Sequence, residues 1–259
     1  DPAPERIARL GADHHDPHSL SHPPGASAGH LGRILDRRWR LDGVIGQGGQ
    51  GVVFAATEVE VDSTDPTIVR DRGTPGAVVV KVTDQSGTSE IEYLTSLHHR
   101  HLVPYLAAGA LDAADPLGAA IPNRRPGDLR WLVMPRATGA LSDAIGERST
   151  PVGVEAQRPM DAASAEELWL QLSDLLTYLE SQKVVHGDIK PANILSFPTR
   201  AGSEWRVTDL GIMVDLKTGH TNAPAKGYSP AYGSPWVLEH GIARPRDDRY
   251  SAALVVHLA

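Results

Sequence analysis

The spacing of apolar residues changes along this chain. Arg40 to Ile45 reads as a strand that runs into the glycine-rich turn Gly46–Gly51, and Val52-Val53-Phe54-Ala55-Ala56 leads out again. A polar loop from Asp62 to Gly76 follows. The β-branched run Val78-Val79-Val80-Lys81-Val82 then suits a buried strand. Glu90 to His98 predicts a helix with Ile91, Leu94 and Leu97 on one face, and Leu102–Ala107 and Leu129–Met134 predict two more strands. From Leu141 the spacing turns helical. Ser164-Ala165-Glu166-Glu167 has the form of a capping box. Behind it Leu168, Leu172, Leu175, Leu176 and Leu179 recur one helical turn apart, and the helix is expected to end just before Val184-Val185. Strands first and helices second predict an α+β chain in two lobes. No internal repeat is visible.

Residues 1–36 follow neither pattern. Pro, Gly, Ser and His dominate there, which predicts a disordered or flexible tail with at most a short helix over Pro4–Leu10. His14, His15, His18, His22 and His30 cluster in it, but no carboxylate-and-His spacing singles out a metal site.

The 259 residues are 41% apolar, enough to bury a real core. A formal charge of −7 argues against a nucleic-acid or anionic-membrane surface. The local basic stretch Arg37-Arg38-Trp39-Arg40 reads as a solvated strand edge. The absence of cysteine excludes disulfides, thiolate metal sites and a cysteine nucleophile, and fits a reducing cytoplasm. No run reaches the ~18 apolar residues of a membrane span, and no signal peptide opens the chain. The first residue is Asp1 rather than Met, so a piece of a longer protein is expected.

The most informative stretch is His186-Gly187-Asp188-Ile189-Lys190-Pro191-Ala192-Asn193-Ile194-Leu195. It sets a carboxylate, an ammonium and an amide two and three residues apart, then returns to an apolar run. Phosphoryl transfer from ATP asks for such groups: one to orient the attacking hydroxyl, a cation for the moving phosphoryl and an oxygen ligand for Mg²⁺. The stretch resembles the catalytic loop of protein kinases, H-R-D-x-K-P-x-N, with Gly187 in place of the Arg. Gly46-x-Gly48-x-x-Gly51-x-Val53 admits a second reading, a dinucleotide-binding turn that opens a helix. The β-branched and aromatic residues after Gly51 favour a hairpin folded over phosphates, as in kinases.

Further motifs extend the resemblance over residues 38 to 259, in the family's order. Only five lysines occur, and two of them stand where kinases place theirs, at the end of an apolar strand (Lys81) and two residues after Asp188 (Lys190). The register Glu90, Leu94, Leu97, His99, Leu102-Val103 matches the helix whose Glu pairs with the strand lysine, and Glu92 faces elsewhere. Trp205-Arg206-Val207-Thr208-Asp209-Leu210-Gly211 resembles the strand ending in D-F-G, with Leu210 for Phe and an extra turn at Pro198 to Gly202. Trp131-Leu132-Val133-Met134 resembles the strand entering the hinge. Met134 is then implied beside the adenine, with Pro135 offering its carbonyl and Ala137 both donor and acceptor. Val53, Val79 and Leu195 fall where kinases sandwich the base, Val79 being bulkier than the usual Ala. Tyr228-Ser229-Pro230-Ala231-Tyr232-Gly233-Ser234-Pro235-Trp236 matches the substrate-side segment in length, and Asp248 the buried Asp of the helix that follows.

The resemblance, nearest to the eukaryote-like Ser/Thr kinases of bacteria in a non-RD (HGD) form, implies a bilobal fold. Residues 37–134 are expected as the N-lobe, an antiparallel sheet plus one main helix, and 135–259 as hinge and a mostly helical, incomplete C-lobe. It implies ATP and Mg²⁺ as cofactors and a protein Ser/Thr hydroxyl as acceptor. Lys81 and Glu90 are implied to orient the phosphates, Asp188 to take or position the hydroxyl proton, Lys190 to neutralise charge, and Asn193 and Asp209 to hold metal. Gly187 suggests activity without a phosphate on the segment carrying Thr218, Thr221 and Ser229. Trp236 replaces the Glu of a buried ion pair, for which a hydrophobic contact is expected. The sequence stops inside the helix Tyr250–Ala259, so a cut chain or a partner completing the lobe is expected. Two rivals stand beside this reading: a small-molecule phosphotransferase of the aminoglycoside or choline type, which often carries H-G-D, and a non-catalytic pseudokinase.

Overall fold

In the first half, side-chain alternation builds one sheet. Its strands are β1 (Ile34–Leu35), β2 (Trp39–Gly48), β3 (Gly51–Val61), β4 (Val69–Asp71), β5 (Val78–Thr83), β6 (Ala107–Leu111) and β7 (Leu129–Pro135). They pair antiparallel in the order β1-β2-β3-β5-β7-β6, with β4 beside β3. The computed structural model describes residues 28–48, 51–84, 95–112, 114–121, 129–150, 153–200, 202–210, 212–216 and 221–259. The expected tail, apart from its last residues, and Glu90 to Leu94 of the expected helix lie outside these. The part of that helix which is described, Thr95–His98, is turn and coil.

Successive side chains of a strand face opposite ways, and the two faces of this sheet have separate uses. Val52, Phe54, Val80, Val82, Trp131 and Val133 enter a buried cluster with Leu117, Ala120 and Ile121 of the β6–β7 connection. Val53, Val79, Lys81 and Met134 line a cleft on the other face. The turn between β2 and β3 depends on Gly51. Its φ is +134°, and a Cβ there would stand 2.1 Å from the Val82 carbonyl oxygen, so only glycine fits.

The strand expected over Leu102–Ala107 forms elsewhere, as β6. Val103 N–H donates to Val207 O at 2.8 Å and Val207 N–H to His101 O at 2.9 Å. This segment spends its backbone groups on the second half of the chain, and the sheet resumes only at Ala107.

The second half holds α1 (Leu141–Ile145), α2 (Ala162–Ser181), α3 (Pro235–His240) and α4 (Pro245–Leu258). Before and between them lie short strands: β8 (Gly139–Ala140), β9 (Glu147–Thr150), β10 (Gly153–Ala156), β11 (Val184–Val185), β12 (Ile194–Thr199), β13 (Gly202–Val207), β14 (Val214–Asp215), β15 (Ala223–Pro224) and β16 (Ile242–Ala243). The sheet β13-β12-β8 and the pair β11-β14 frame the His186–Leu195 stretch. The expected α+β, two-lobed architecture is the one observed.

Helix α2 is capped earlier than its capping-box pattern suggests. The Asp161 carboxylate accepts the Ser164 N–H at 2.9 Å, and Ser164 lies inside the first turn with its hydroxyl on the same carboxylate. A carboxylate is as good a cap as a hydroxyl, and it also opposes the helix dipole. The leucine stripe is as expected: Leu168, Leu172, Leu175, Leu176 and Leu179 are all buried, each side chain contributing about 1.5–3 kcal/mol. Ala252 and Val255 of α4 join the same core, and Arg249 reaches Glu180 at 2.8 Å. Among the described residues no helix is long and apolar enough to cross a membrane.

Candidate active site

A cleft of about 620 Å³ opens between the sheet and the helical half. Apolar residues from both halves line it: Val53 and Val79, Met134 at the end of β7, Ala137 after it, and Leu195 on β12. Pro135, Lys81, Asn193 and Asp209 complete the predicted residues that border it. Gly46, Gly48 and Gly51 are not among the lining residues; Gly48 faces Gly51 across the turn and Gly46 faces Val53. Glu90 lies outside the described residues.

Lys81 extends from β5 to Asp209 beyond β13, Nζ to Oδ1 2.7 Å, joining groups 128 residues apart. Both side chains are largely buried, so each offsets the desolvation of the other. Asp209 takes φ +68°, a left-handed conformation that Asp tolerates better than most residues. Such strain clusters at functional sites.

The loop carrying Asp188 is held from beneath by α4. Asp248 is buried and accepts the N–H of His186 at 2.6 Å and of Gly187 at 2.9 Å. Burial pushes its carboxyl upward, against the two amide donors. His186 Nδ1 receives the Asp188 N–H at 3.2 Å, so the proton sits on Nε2 and is donated to Thr208 O at 3.1 Å. One neutral imidazole thus ties the Asp188 loop to the strand end before Asp209.

Asp188 itself is buried. Its Oδ2 accepts from Asn193 Nδ2 at 2.9 Å and pairs with Lys190 Nζ at 2.7 Å. Its Oδ1 accepts the Ser229 hydroxyl at 2.6 Å, and Lys190 donates to the same Ser229 oxygen at 2.9 Å. The pair therefore already grips an aliphatic hydroxyl. The Asn193 amide nitrogen is committed to Asp188, which leaves its oxygen for other work. Asn193 and Asp209 line one cleft and offer amide and carboxylate oxygens, the hard donors Mg²⁺ takes while phosphates and water fill its other positions.

Gly187 adopts φ +81°, with Ile212 O 3.4 Å from where a Cβ would stand. Beneath it lies a small hollow of about 20 Å³, bordered by Val185, Ile212, Val214 and Ala225 and by the acids Asp247 and Asp248. Lys226 borders it as well, and the hollow is too small for a phosphate. The contact expected at Trp236 is a cation–π stack rather than a hydrophobic one. The Arg244 guanidinium lies 4.1 Å from the Trp236 ring centroid and also pairs with Asp247 at 2.9 Å. Asp247 accepts the Ser234 hydroxyl at 2.7 Å. Tyr232 donates to Glu147 at 2.6 Å, and burial with that carboxylate pushes its phenol upward.

Several cleft residues escaped the sequence reading: Ile45, Val103, Tyr105 and Thr208. Ile45 and Thr208 directly precede recognised motifs, a usable signal. Tyr105 had only its rarity, in a chain that is 5% aromatic. Ser229 was named only with Thr218 and Thr221 as part of one segment; its hydroxyl sits on Asp188 and Lys190.

The protein kinase domain family matches residues 39–258, and the chain belongs to that family of phosphotransferases. Among curated relatives, the MAP3K epsilon protein kinase 1 of Brassica napus is 24% identical over 227 residues, 88% of this chain and 15% of the relative. The receptor-like cytoplasmic kinase 176 of Oryza sativa subsp. japonica is 27% identical over 239 residues, 86% of this chain and 53% of the relative. The serine/threonine-protein kinase nekl-2 of Caenorhabditis elegans is 23% identical over 214 residues, 83% of this chain and 55% of the relative. The chain thus spans between about a seventh and about half of the length of these relatives.

Proposed function

We propose that this domain transfers the γ-phosphoryl of Mg²⁺-bound ATP to Ser or Thr hydroxyls of a protein. The observation that carries the reading is the convergence of Lys81 and Asp209 at 2.7 Å beside Asn193, whose amide in turn touches Asp188. The apolar walls at Val53, Val79, Met134 and Leu195 suit a planar base, with the Pro135 carbonyl and the Ala137 backbone as its polar edge. Lys81, with Glu90 as its proposed partner, holds the α- and β-phosphates, and Gly46, Gly48 and Gly51 form the turn above them. Asn193 and Asp209 would hold Mg²⁺, which when bound would supply neutralising charge for the phosphates.

Asp188 orients the acceptor hydroxyl and takes its proton, and Lys190 balances the charge on the moving group. Ser229 supports the choice of acceptor, since its hydroxyl is held by the same two groups. Most of the rate arises from positioning and preorganised charge. Gly187, which puts no guanidinium beside Asp188, supports a non-RD mode in which no phosphate on the neighbouring segment is needed. Residues 37–134 and 135–259 are the proposed lobes on either side of the hinge.

The test is a transfer assay with radiolabelled ATP against a generic protein acceptor, with aminoglycosides and choline offered in parallel. Label on Ser or Thr of the protein supports the reading. Label on the small molecules alone, or ATP binding without any transfer, replaces it with one of its two rivals.

A further inference from the structure

The glycine-rich turn does not stand free at its β2 end. Gln47, inside it, donates from Nε2 to the carbonyl of Ala120 at 2.7 Å, across 73 residues. Ala120 ends a short 3₁₀ turn, Pro116–Ala120, in the connection between β6 and β7. That turn is anchored from below: Leu117 and Ala120 are fully buried and Ile121 nearly so, in the cluster that takes Val52, Phe54, Val80 and Val82 from the sheet. It is anchored at its start as well. Asp115 caps it by accepting the Leu117 N–H at 2.9 Å. The same carboxylate meets the Arg33 guanidinium in a two-pronged pair, 2.7 Å and 2.5 Å. Arg33 in turn is fixed to β2, its carbonyl accepting the Leu41 N–H at 2.8 Å.

An exposed surface bond between glutamine and a backbone oxygen would mean little alone. Here the acceptor belongs to a capped and buried turn, and the donor stands between Gly46 and Gly48, whose missing side chains restrict the backbone least. We infer that the 3₁₀ turn Pro116–Ala120 is a clamp that presets the height of the glycine-rich turn at its β2 end, with Gln47 as the positioning residue and Arg33–Asp115 as its distant brace. The inference rests on the proposed ATP site, because the turn matters only if phosphates lie beneath it. The clamp's benefit is entropic: a turn ordered before the nucleotide arrives loses less freedom on binding.

The experiment compares ATP with adenosine by isothermal titration calorimetry in Mg²⁺ buffer, on the wild-type chain and on Gln47→Leu, Asp115→Asn and the double variant. Adenosine shares the base pocket but not the phosphates. The expected result is a ~5-fold weaker Kd for ATP in Gln47→Leu, equivalent to about 1 kcal/mol for one lost hydrogen bond, with the adenosine Kd unchanged. Asp115→Asn weakens ATP in the same direction, and the double variant weakens it no further than Gln47→Leu. Swapping the brace, Arg33→Asp with Asp115→Arg, restores the charge pair but not the cap on the Leu117 N–H, and recovers part of the loss relative to Asp115→Arg alone. Gln47 is on the surface, so Gln47→Leu is expected to fold even where a brace variant does not. Unchanged ATP affinity in Gln47→Leu, or an equal loss for ATP and adenosine, overturns the clamp and leaves the kinase reading intact. A wild-type chain that binds adenosine no differently from ATP, or binds neither, sinks both.

Discussion

Ser229 Oγ lies 2.6 Å from Asp188 Oδ1 and 2.9 Å from Lys190 Nζ, so a residue of the substrate-side segment is part of the proposed centre. Ser229→Ala leaves Asp188 one donor short in a buried place, where a charge-assisted bond is worth about 1.5 kcal/mol or more. The proposed kinase should lose ~10-fold in kcat/KM, and Ser229→Thr should recover most of it. The paired change Thr218→Ala, Thr221→Ala should leave turnover within about 2-fold. Steady-state kinetics on the three proteins check this, and collapse of the Thr218/Thr221 variant would end the non-RD reading.

Asp188→Ala separates binding from chemistry. The carboxylate touches Asn193, Lys190 and Ser229 but does not border the apolar part of the cleft. ATP affinity should stay within about 3-fold, while transfer falls ~10²–10⁴-fold, the usual worth of a positioned base. Single-turnover assays beside equilibrium nucleotide binding give both numbers. Near-normal transfer by this variant would refute the assignment of Asp188.

Gly51 owes its identity to packing as much as to any ligand. A Cβ would stand 2.1 Å from Val82 O, on a φ of +134°. Gly51→Ala should therefore destabilise the empty protein by about 1–3 kcal/mol, lowering Tm by ~2–4 °C per kcal/mol for a chain of this size. Differential scanning calorimetry without nucleotide measures it. An unchanged Tm would show that the strand spacing relaxes freely there.

Acid should dissolve the brace between the N-terminal segment and the β6–β7 connection. The hydrogen bonds from Arg33 hold the Asp115 carboxyl below the ordinary carboxylate range, against the opposing effect of burial. A lowered acid stabilises the fold fully above its unfolded value, near ~3.9, and that stabilisation fades as pH falls through the folded value. The Tm gap between wild type and Arg33→Leu should thus be full at pH 6 and close on acidification below about 4. A gap that widens in acid would contradict the sign.

Much of the candidate site was legible because the proposed chemistry needs particular residue types at short spacings. Asp188, Lys190 and Asn193 announce themselves within six residues, and Lys81 stands out as an ammonium in an apolar strand. The leucine stripe of α2 was equally plain, since burial on one helix face imposes its period. What misled was competition for backbone and side-chain partners. Leu102 and Val103 have the composition of a strand, yet their partner is Val207 rather than a neighbouring sheet strand. Ser164 has the form of a cap, yet Asp161 captures its N–H. Trp236 was expected to find apolar company and lies against Arg244.

Local spacing was thus sufficient for the α+β class and for naming the proposed phosphoryl-transfer groups, because these depend on residue type and on periods of two to four residues. Tertiary structure alone decided that Lys81 meets Asp209, that Ser229 rests on Asp188, and that Gln47 hangs from Ala120. Each of these contacts joins residues 41 to 128 positions apart, and no local pattern records which distant partner reaches a group first in the folded chain.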